Sequence, residues 1–236
     1  SDRDQINTRS GETPKFNDPM LNKQWHYKNT GDETLVSPIK EGCDINVEPA
    51  WEFCTGDPSI IVAVMDEGVM YKHEDLAANM WVNQAELNGQ KGVDDDGNGY
   101  VDDVYGYNFA KDQGDITWTD PEDSGHGTHV AGTISAVNNN GIGVCGIAGG
   151  SGNNDGVKIM SVQAFDGKKS VSVAASARAI QYAANNGASI LQCSWGGGAY
   201  GSDKAYEDDC RAEVVALKYF IETERPGSPL NGGVVF

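Results

Sequence analysis

The sequence predicts an α/β domain in which a parallel sheet is flanked by helices, and two patterns indicate this fold class. Continuous apolar runs of strand length occur at 60–65, 157–164 and 188–195, and a fourth begins at Gly232. Such runs are typical of strands that are buried on both faces of a parallel sheet. Segments with helical spacing separate the last three runs, so strand and helix alternate as in right-handed crossovers.

An N-terminal arm and two helices complete the predicted domain. Residues 1–57 are polar and irregular, so we expect an arm that wraps a domain formed by residues 58–236. The helix predicted at 172–186 keeps its apolar side chains at near-helical spacing. A second helix, predicted as one element over 202–224, has Ser202 as its N-cap. Its apolar face is expected to carry Val214, Leu217, Phe220 and Ile221.

The composition excludes several kinds of partner. The chain has 236 residues and 39% apolar content, which is enough for a buried core. Its 35 acidic and 17 basic residues give a net charge of −18, which repels nucleic acid and anionic membranes. No apolar run approaches the roughly 18 residues that a membrane span needs. The excess of acid has two interpretations, a solvated surface or carboxylates gathered around hard cations.

The cysteines and the first residue bear on how the chain is processed. An odd number of cysteines leaves at least one thiol unpaired within the chain. A disulfide between Cys43 and Cys54 is one possibility that the sequence does not decide. Cys145 and Cys193 are expected to be buried thiols. The chain begins at Ser1 with a polar stretch, so we expect any signal peptide or pro-segment to lie outside it.

Asp66 and His126 are the candidate catalytic residues. Asp66 directly follows the first apolar run, and ligands collect at the carboxyl ends of strands in open α/β sheets. A simple turn residue is the alternative at this position. His126 opens a small-residue helix between two glycines, which let the backbone come close to it. A metal site at His126 and His129 is another interpretation, but no H-E-x-x-H motif or third ligand accompanies the pair.

These two segments resemble the Asp and His motifs of the subtilase family. The matching residues are Asp66-Glu67-Gly68 and the run from 125 to 132, and the order Asp before His agrees with the subtilisin type of triad. Residues 73–76, 138–144 and 188–197 are similar to a His-x-Asp-Leu turn, an Asn-rich calcium loop and the strand that lines the family's substrate cleft. The resemblance covers nearly all of the predicted domain and implies a subtilisin-like fold that is incomplete in this chain.

The resemblance implies a serine endopeptidase that acts on polypeptides. In such an enzyme His126 accepts the proton of a serine hydroxyl, and Asp66 orients the imidazole. The sequence contains no Gly-Thr-Ser-x-Ala-Pro or Gly-Thr-Ser-Met segment, so we expect the serine on a second chain or a C-terminal segment and no hydrolysis by this chain alone. Two explanations stay open for the end at Phe236, an internal cleavage whose partner remains bound or a polypeptide that stops there. A non-catalytic, calcium-stabilised binding protein is the alternative function.

The resemblance also implies a substrate cleft. Ser194, Trp195 and Gly196 would bind an extended peptide through their backbones, and Trp195 would wall an apolar subsite. Gly167 lies on the expected facing side, next to the Lys168-Lys169 pair. The two lysines have two interpretations, a preference for acidic substrate residues or simple solvation.

An acidic loop inserted near residues 88–108 predicts a calcium site. Its oxygen-bearing side chains stand at alternate positions of a glycine-bent segment, as in the first half of an EF-hand loop. The predicted ligands are the side chains of Asp94, Asp96 and Asn98, the carbonyl of Tyr100, and Asp102 or Asp103. An ordinary acidic turn is the alternative, although neighbouring carboxylates repel one another when no cation is present.

A second calcium site follows only from the resemblance. Its ligands would be Asp75, a side chain of Asn139 or Asn140, and the carbonyls of Val137, Ile142 and Val144. The Asn run is slightly longer than the family segment, so its alignment to that segment is uncertain by one residue, and either Asn139 or Asn140 could supply the side chain. Calcium sites together with a missing leader predict a secreted or cell-envelope protein.

Overall fold

The centre of the fold is a five-stranded, fully parallel sheet. The structure, a computed structural model, describes residues 16–118, 125–167, 169–226, 228, 230 and 232–236. The sheet strands are β1 (Ile61–Asp66), β2 (Gly106–Asn108), β3 (Lys158–Gln163), β6 (Ile190–Gln192) and β7 (Val234–Val235), in the order β2-β3-β1-β6-β7. A separate antiparallel hairpin consists of β4 (Phe165–Asp166) and β5 (Lys169–Ser170). The predicted α/β fold with a parallel sheet is therefore confirmed.

β1 occupies the middle of the sheet because its side chains are apolar on both faces. It pairs with β3 along one edge and with β6 along the other. Val62 and Val64 belong to one buried apolar cluster, whereas Ala63 and Met65 belong to the cluster on the opposite face. The apolar run predicted at 60–65 is thus a strand that is buried on both sides.

Helices cover both faces of this sheet. The helices of the described residues are α1 (Glu48–Trp51), α2 (Gln84–Asn88), α3 (His126–Ser135), α4 (Val173–Asn185), α5 (Asp203–Asp209) and α6 (Arg211–Glu222), with short 3-10 turns at Leu21–Lys23 and Ala77–Asn79. α3 packs on the face that carries Val62, while α4 and α6 pack together on the face that carries Ala63. In the part of the chain that the structure describes, no helix combines the length and the hydropathy that crossing a bilayer requires.

The helix predicted at 172–186 is confirmed, but the single helix predicted over 202–224 is wrong. The hydroxyl oxygen of Ser172 accepts a hydrogen bond from the backbone N–H of Ala175 at 3.2 Å and so caps α4. Ser202 caps α5 in the same way. The helix then breaks at Cys210, whose φ of −116° and ψ of 32° are not helical, and α6 starts at the next residue.

On α6 the buried face agrees with the prediction at Leu217 and Phe220 but differs from it at Ile221. Ala216 and Phe220 are fully buried, whereas Ile221 is 50% exposed. Successive helical residues lie about 100° apart, so Phe220 and Ile221 do not both face the core. The predicted position of Ile221 on the buried face is therefore wrong.

The positions of two strands differ from those predicted from the apolar runs of the sequence. The sequence indicates no strand at β2, which is short and begins at a glycine. Gly106 has φ of +125°, and a Cβ at this position would overlap the carbonyl oxygen of Ser161, so glycine allows β2 to approach β3. β6 covers only part of the run at 188–195, because the chain around Trp195 leaves the ladder.

The described part of the arm packs against the loop that follows α3. Tyr27, Val47 and Trp51 form a third apolar cluster with Cys145. The Tyr27 hydroxyl donates to the carbonyl oxygen of Cys145 at 2.8 Å, and the Trp51 indole donates to that of Ile147 at 2.8 Å. All five cysteines are free, so the bridge between residues 43 and 54 is not formed. The arm's boundary at residue 57 stays a prediction.

We expect Phe220→Ala to lower the free energy of unfolding by about 3–5 kcal/mol, because the ring is fully buried between α6 and the sheet. Denaturant unfolding measures the change. Val215→Ala is the matched control, since Val215 lies on the same helix and is 54% exposed, and its effect should stay within about 0.5 kcal/mol. Equal losses in both variants would contradict the described packing of α6.

Candidate active site

The structure brings Asp66 and His126 into direct contact. Asp66 is the last residue of β1 and only 2% exposed, and His126 is the first residue of α3. The Nδ1 atom of His126 lies 2.9 Å from Oδ1 and 3.0 Å from Oδ2 of Asp66. The backbone N–H of Glu67 donates to Oδ1 at 2.8 Å and helps to hold the carboxylate. The two predicted residues therefore form a hydrogen-bonded pair at the carboxyl edge of the sheet.

This contact requires a very close approach between α3 and the turn after β1. A Cβ atom on Gly127 would lie 2.6 Å from the carbonyl oxygen of Gly68 and 3.1 Å from the Cβ of Asp66. Any other residue would push the start of α3 away from the strand. The small residues noted around His126 in the sequence therefore have a direct structural reason.

The electrostatics of the pair favour a protonated imidazole. The hydrogen bond from Nδ1 to Asp66 raises the pKa of His126 against the opposing effect of partial burial, and the charges of Asp66 and Glu67 raise it further. The His126 side chain is 44% exposed, so another group can reach the ring from outside. A carboxylate behind a half-exposed imidazole is an arrangement suited to general-base catalysis.

Trp195 and the β4–β5 hairpin line a cleft beside this pair. The indole N–H of Trp195 donates to the carbonyl oxygen of Met65 at 2.7 Å, and its ring meets the Phe165 ring edge-on at 5.5 Å. Gly167 lies in the turn of the hairpin. The hydroxyl oxygen of Ser194 accepts a hydrogen bond from the Gln192 side chain at 2.9 Å.

The remaining predicted cleft residues are more open. A Cβ on Gly196 would meet no heavy atom within 4 Å, so its backbone is accessible. Lys169 is exposed on β5, while the prediction for Lys168 lies outside the described residues. The substrate-binding roles of these residues stay predictions.

Gln163 is a residue of this edge that the sequence analysis missed. It ends β3 in register with Asp66 and is 1% exposed. Its side-chain amide donates to the Thr117 hydroxyl at 2.8 Å and to the Phe165 carbonyl at 3.1 Å, and its oxygen accepts from the Thr117 backbone N–H at 2.9 Å. A polar residue at the end of an apolar run was the available signal, as it was for Asp66.

A carboxylate of α2 and two carboxylates of the acidic loop lie close together. Ligand oxygens of Glu86, Asp94 and Asp96 all lie within 4.8 Å of one another. Glu86, on α2, is buried and was missed because it precedes the loop. Its two oxygens accept hydrogen bonds from the backbone N–H groups of Asp95 at 2.6 Å and Asp102 at 2.9 Å. An oxygen-only set of this kind is chemically suited to a hard cation such as Ca²⁺.

Asp103 joins this cluster, whereas Asp102 turns away from it. The Asn98 amide donates to Asp96 at 3.1 Å and to Asp103 at 3.0 Å. Asp103 is fully buried, and burial raises its pKa to about 6 despite the hydrogen bond from the Tyr182 hydroxyl. The Asp102 carboxylate instead accepts from the Gly92 backbone N–H. Of the two residues that the sequence left open, the structure places Asp103 at the cluster.

The structure does not test the predicted role of the Tyr100 carbonyl as a calcium ligand. Tyr100 directs its ring into an aromatic group with Tyr107 and Tyr182. The backbone N–H of Tyr100 donates to the Asn98 side-chain oxygen at 2.8 Å, which leaves the proposed role of its carbonyl a prediction.

Around Asp75 the structure resolves the register of the Asn run. The Asn140 amide donates to Asp75 Oδ1 at 2.8 Å, and the Val144 backbone N–H donates to Oδ2 at 2.9 Å. The Asn139 side chain turns to the carbonyl of Ser151, so Asn140, rather than Asn139, is beside Asp75. The backbone N–H of Val137 donates to the Asp75 carbonyl, and that of Ile142 donates to the Asn140 side chain.

A residue of the arm also reaches this loop. Asp18, which the sequence analysis did not select, accepts from the Asn139 backbone N–H at 2.7 Å. Burial raises the pKa of Asp75, and the charge of Asp18 adds to that rise, so the two carboxylates lie near each other. The assignment of this group as a calcium site stays a prediction.

Comparisons with known proteins agree with the fold and identify a family. The profile of the subtilase family matches residues 57–225. Subtilisin-like protease 1 of Plasmodium berghei is 36% identical over 180 residues, and the halolysin-like extracellular serine protease Nep of Natrialba magadii is 32% identical over 182 residues. Each match covers 76% of this chain and 26% of the relative, so the chain spans about a quarter of their length. The crystal structure of the Aeromonas sobria serine protease with its chaperone has a TM-score of 0.67 at 21% identity, covers 92% of this chain and 31% of that one, and shares the fold.

We expect His126 to titrate above its ordinary pKa of 6.5, and Asp66→Asn to lower that pKa because the neighbouring negative charge is lost. NMR of the histidine ring protons across a pH titration measures both values. Because the folded pKa is raised, the stabilisation that the pair contributes is complete below the unfolded pKa and is lost as the pH rises through the folded pKa. The difference in melting temperature between the unchanged protein and Asp66→Asn should therefore shrink as the pH rises.

The exposed Asp32 of the arm provides a matched control for this charge change. Asp32→Asn should leave the titration of His126 as it is. An identical His126 titration in Asp66→Asn would contradict the described pair.

Proposed function

The chain belongs to the subtilase family of serine proteases, and we propose that Asp66 and His126 are two members of an Asp-His-Ser triad that hydrolyses peptide bonds. The observation that carries the proposal is the contact of His126 Nδ1 with both carboxylate oxygens of Asp66, at 2.9 and 3.0 Å. A buried carboxylate in this position fixes the tautomer and the orientation of the imidazole. The proposed activity is that of an endopeptidase.

His126 is the proposed general base. Its Nε2 accepts the proton of the serine hydroxyl while the serine oxygen attacks the peptide carbonyl carbon, and the same proton then passes to the leaving amine. Asp66 stays ionised and stabilises the imidazolium that exists between these two transfers. The serine and the donors for the oxyanion are proposed to lie outside these 236 residues, on a C-terminal segment or on a second chain.

The proposed substrate is an extended polypeptide that lies along residues 194–196. Trp195 supports this assignment, because its indole is anchored to Met65 and 41% of the residue remains exposed as an apolar wall. The open backbone at Gly196 allows a peptide to pair beside it, and Gly167, which is buried in the hairpin turn, is the proposed contact on the facing side. A secreted or cell-envelope location belongs to the same proposal and is supported by the extracellular relative from Natrialba magadii.

Ca²⁺ is the proposed cofactor, in a stabilising role. The residues proposed to hold the first ion are Glu86, Asp94, Asp96, Asn98 and Asp103, with the carbonyl of Tyr100. Those proposed for the second are Asp75 and Asn140, with the carbonyls of Val137, Ile142 and Val144. A bound ion would neutralise the converging carboxylates and tie α2 to the loop.

In the full-length protein, we expect Asp66→Asn to lower kcat for peptide hydrolysis by about 10⁴-fold, because the imidazole loses its orienting charge. His126→Ala should cost at least as much. Hydrolysis of a fluorogenic peptide measures both changes, and His129→Ala, one turn further along α3, is the control that should keep activity near that of the unchanged protein.

A serine-directed fluorophosphonate separates this proposal from a non-catalytic binding protein. Labelling should occur on a serine outside these 236 residues and should require His126. Peptide binding without any labelling would overturn the protease proposal and favour the calcium-stabilised binding protein.

Calcium should raise the melting temperature by about 5–10 °C at a hundredfold excess over its Kd, because the ion binds the folded state alone. Asp96→Asn should remove the part of this shift that belongs to the acidic loop. Asp209→Asn, an exposed carboxylate in α5, is the charge-matched control and should keep the full shift. A melting temperature that chelation does not change would contradict the assignment.

A further inference from the structure

A small cavity lies beneath Trp195, next to the candidate active site. Its volume is about 170 Å³, enough for one side chain. Its walls are mostly apolar and are contributed by Met65, Ala164, Phe165, Val171, Val173 and Trp195. Because Met65 directly precedes Asp66, the cavity adjoins the carboxyl edge of the sheet where the proposed substrate lies.

Glu213 places a carboxylate in this apolar cavity. It is half-buried on α6, and among the described lining residues it is the one that carries a charge. Its Oε1 accepts a hydrogen bond from the Ser176 hydroxyl, and its Oε2 accepts from the Tyr206 hydroxyl at 3.1 Å. A carboxylate accepts about four hydrogen bonds, so capacity remains for a further donor.

The charge of Glu213 has no cationic partner within the described part of the chain. The ion pairs found there involve other residues, and both donors to Glu213 are neutral hydroxyls. These hydroxyls hold the carboxylate in place without neutralising it. A fixed, uncompensated charge in an apolar cavity favours a cation that brings its own aliphatic stem.

Glu213 also lies close to the segment that leads from β6 into the proposed cleft residues. Burial raises the pKa of the Cys193 thiol to about 12, and the negative charges of Glu213 and Asp66 add to that rise. Cys193 directly precedes Ser194 in the chain. Glu213 on α6 and Asp66 on β1 therefore both lie near Cys193, just after the end of β6.

We propose that this cavity, the Glu213 pocket, binds a basic side chain of the substrate, lysine or arginine, with Glu213 as the partner of its charged head. The inference rests on the proposed function, because it assigns a specificity to the same cleft. The apolar walls suit the methylene stem, and the Trp195 and Phe165 rings attract a cation. The net charge of −18 also attracts basic peptides towards the protein.

The opposite preference, for acidic substrate residues near the lysines of the hairpin, is less favourable at this cavity. Lys169 is exposed on β5 and is not part of the lining, whereas Glu213 is. An acidic side chain entering the cavity would meet the Glu213 carboxylate and be repelled.

Binding of matched peptides to the full-length protein tests the Glu213 pocket. The peptides carry lysine, norleucine or glutamate at one position at a time, and fluorescence polarisation gives each Kd. Norleucine keeps the aliphatic stem of lysine without its charge, so at one position lysine should bind about tenfold more tightly than norleucine. Glutamate should bind more weakly than norleucine at that position.

Glu213→Gln should remove the lysine preference and leave norleucine binding unchanged, because the amide oxygen still accepts from one of the two hydroxyls and the amide N–H can donate to the oxygen of the other. Glu222→Gln is the matched control, since it removes the same charge from an exposed position on the same helix. If the unchanged protein binds the lysine and norleucine peptides equally at every position, the proposal is overturned. This result does not depend on whether the variants fold. A preference that persists in folded Glu213→Gln, or the absence of any peptide binding, would also overturn the proposal.

The binding readout separates this inference from the proposed function. A lysine preference without fluorophosphonate labelling would support the Glu213 pocket and contradict the protease activity. Labelling and cleavage with no lysine preference would support the protease activity and contradict the Glu213 pocket.

Discussion

The close approach of α3 to the carboxyl end of β1 is the constraint on which the candidate site depends. Gly127 lies against the turn after Asp66, where a side chain would collide with the carbonyl oxygen of Gly68. Ala131, one turn further along, is fully buried in the cluster that also contains Val62 and Val64. The same helix packing therefore buries the Asp66 carboxylate and holds His126 against it at hydrogen-bonding distance.

Parallel pairing extends this arrangement along one edge of the sheet. Because β1 lies between β3 and β6, their carboxyl ends meet, and residues far apart in sequence gather there. Gln163 ties the segment before His126 to the hairpin at Phe165, while Trp195 is anchored to the strand that carries Asp66. The cleft wall is thus fixed by contacts to the same strand ends that position the charged pair.

The acidic side chains form two different local arrangements. Around the acidic loop, carboxylates from α2 and from the loop face one another and are held by backbone N–H groups and by Asn side chains. In the Glu213 pocket a single carboxylate is held by two hydroxyls within apolar walls. The first arrangement collects several oxygens and suits a hard cation, whereas the second offers one charge and suits a basic side chain.

The sequence by itself determined the α/β class, the central strand, the capped helix at α4 and the pair Asp66 and His126, because each depends on local patterns of apolar spacing, capping or glycine placement. It did not determine the break at Cys210, the short strand at β2 or the exposure of Ile221, which depend on how α6 and β2 pack against distant residues. Glu86, Gln163 and Glu213 lie outside the motifs that carry Asp66 and the acidic loop. Only the tertiary structure places Glu86 beside Asp94, Gln163 beside Asp66 and Glu213 in the cavity next to Trp195, because hydrogen bonds and charges act through space and not along the chain.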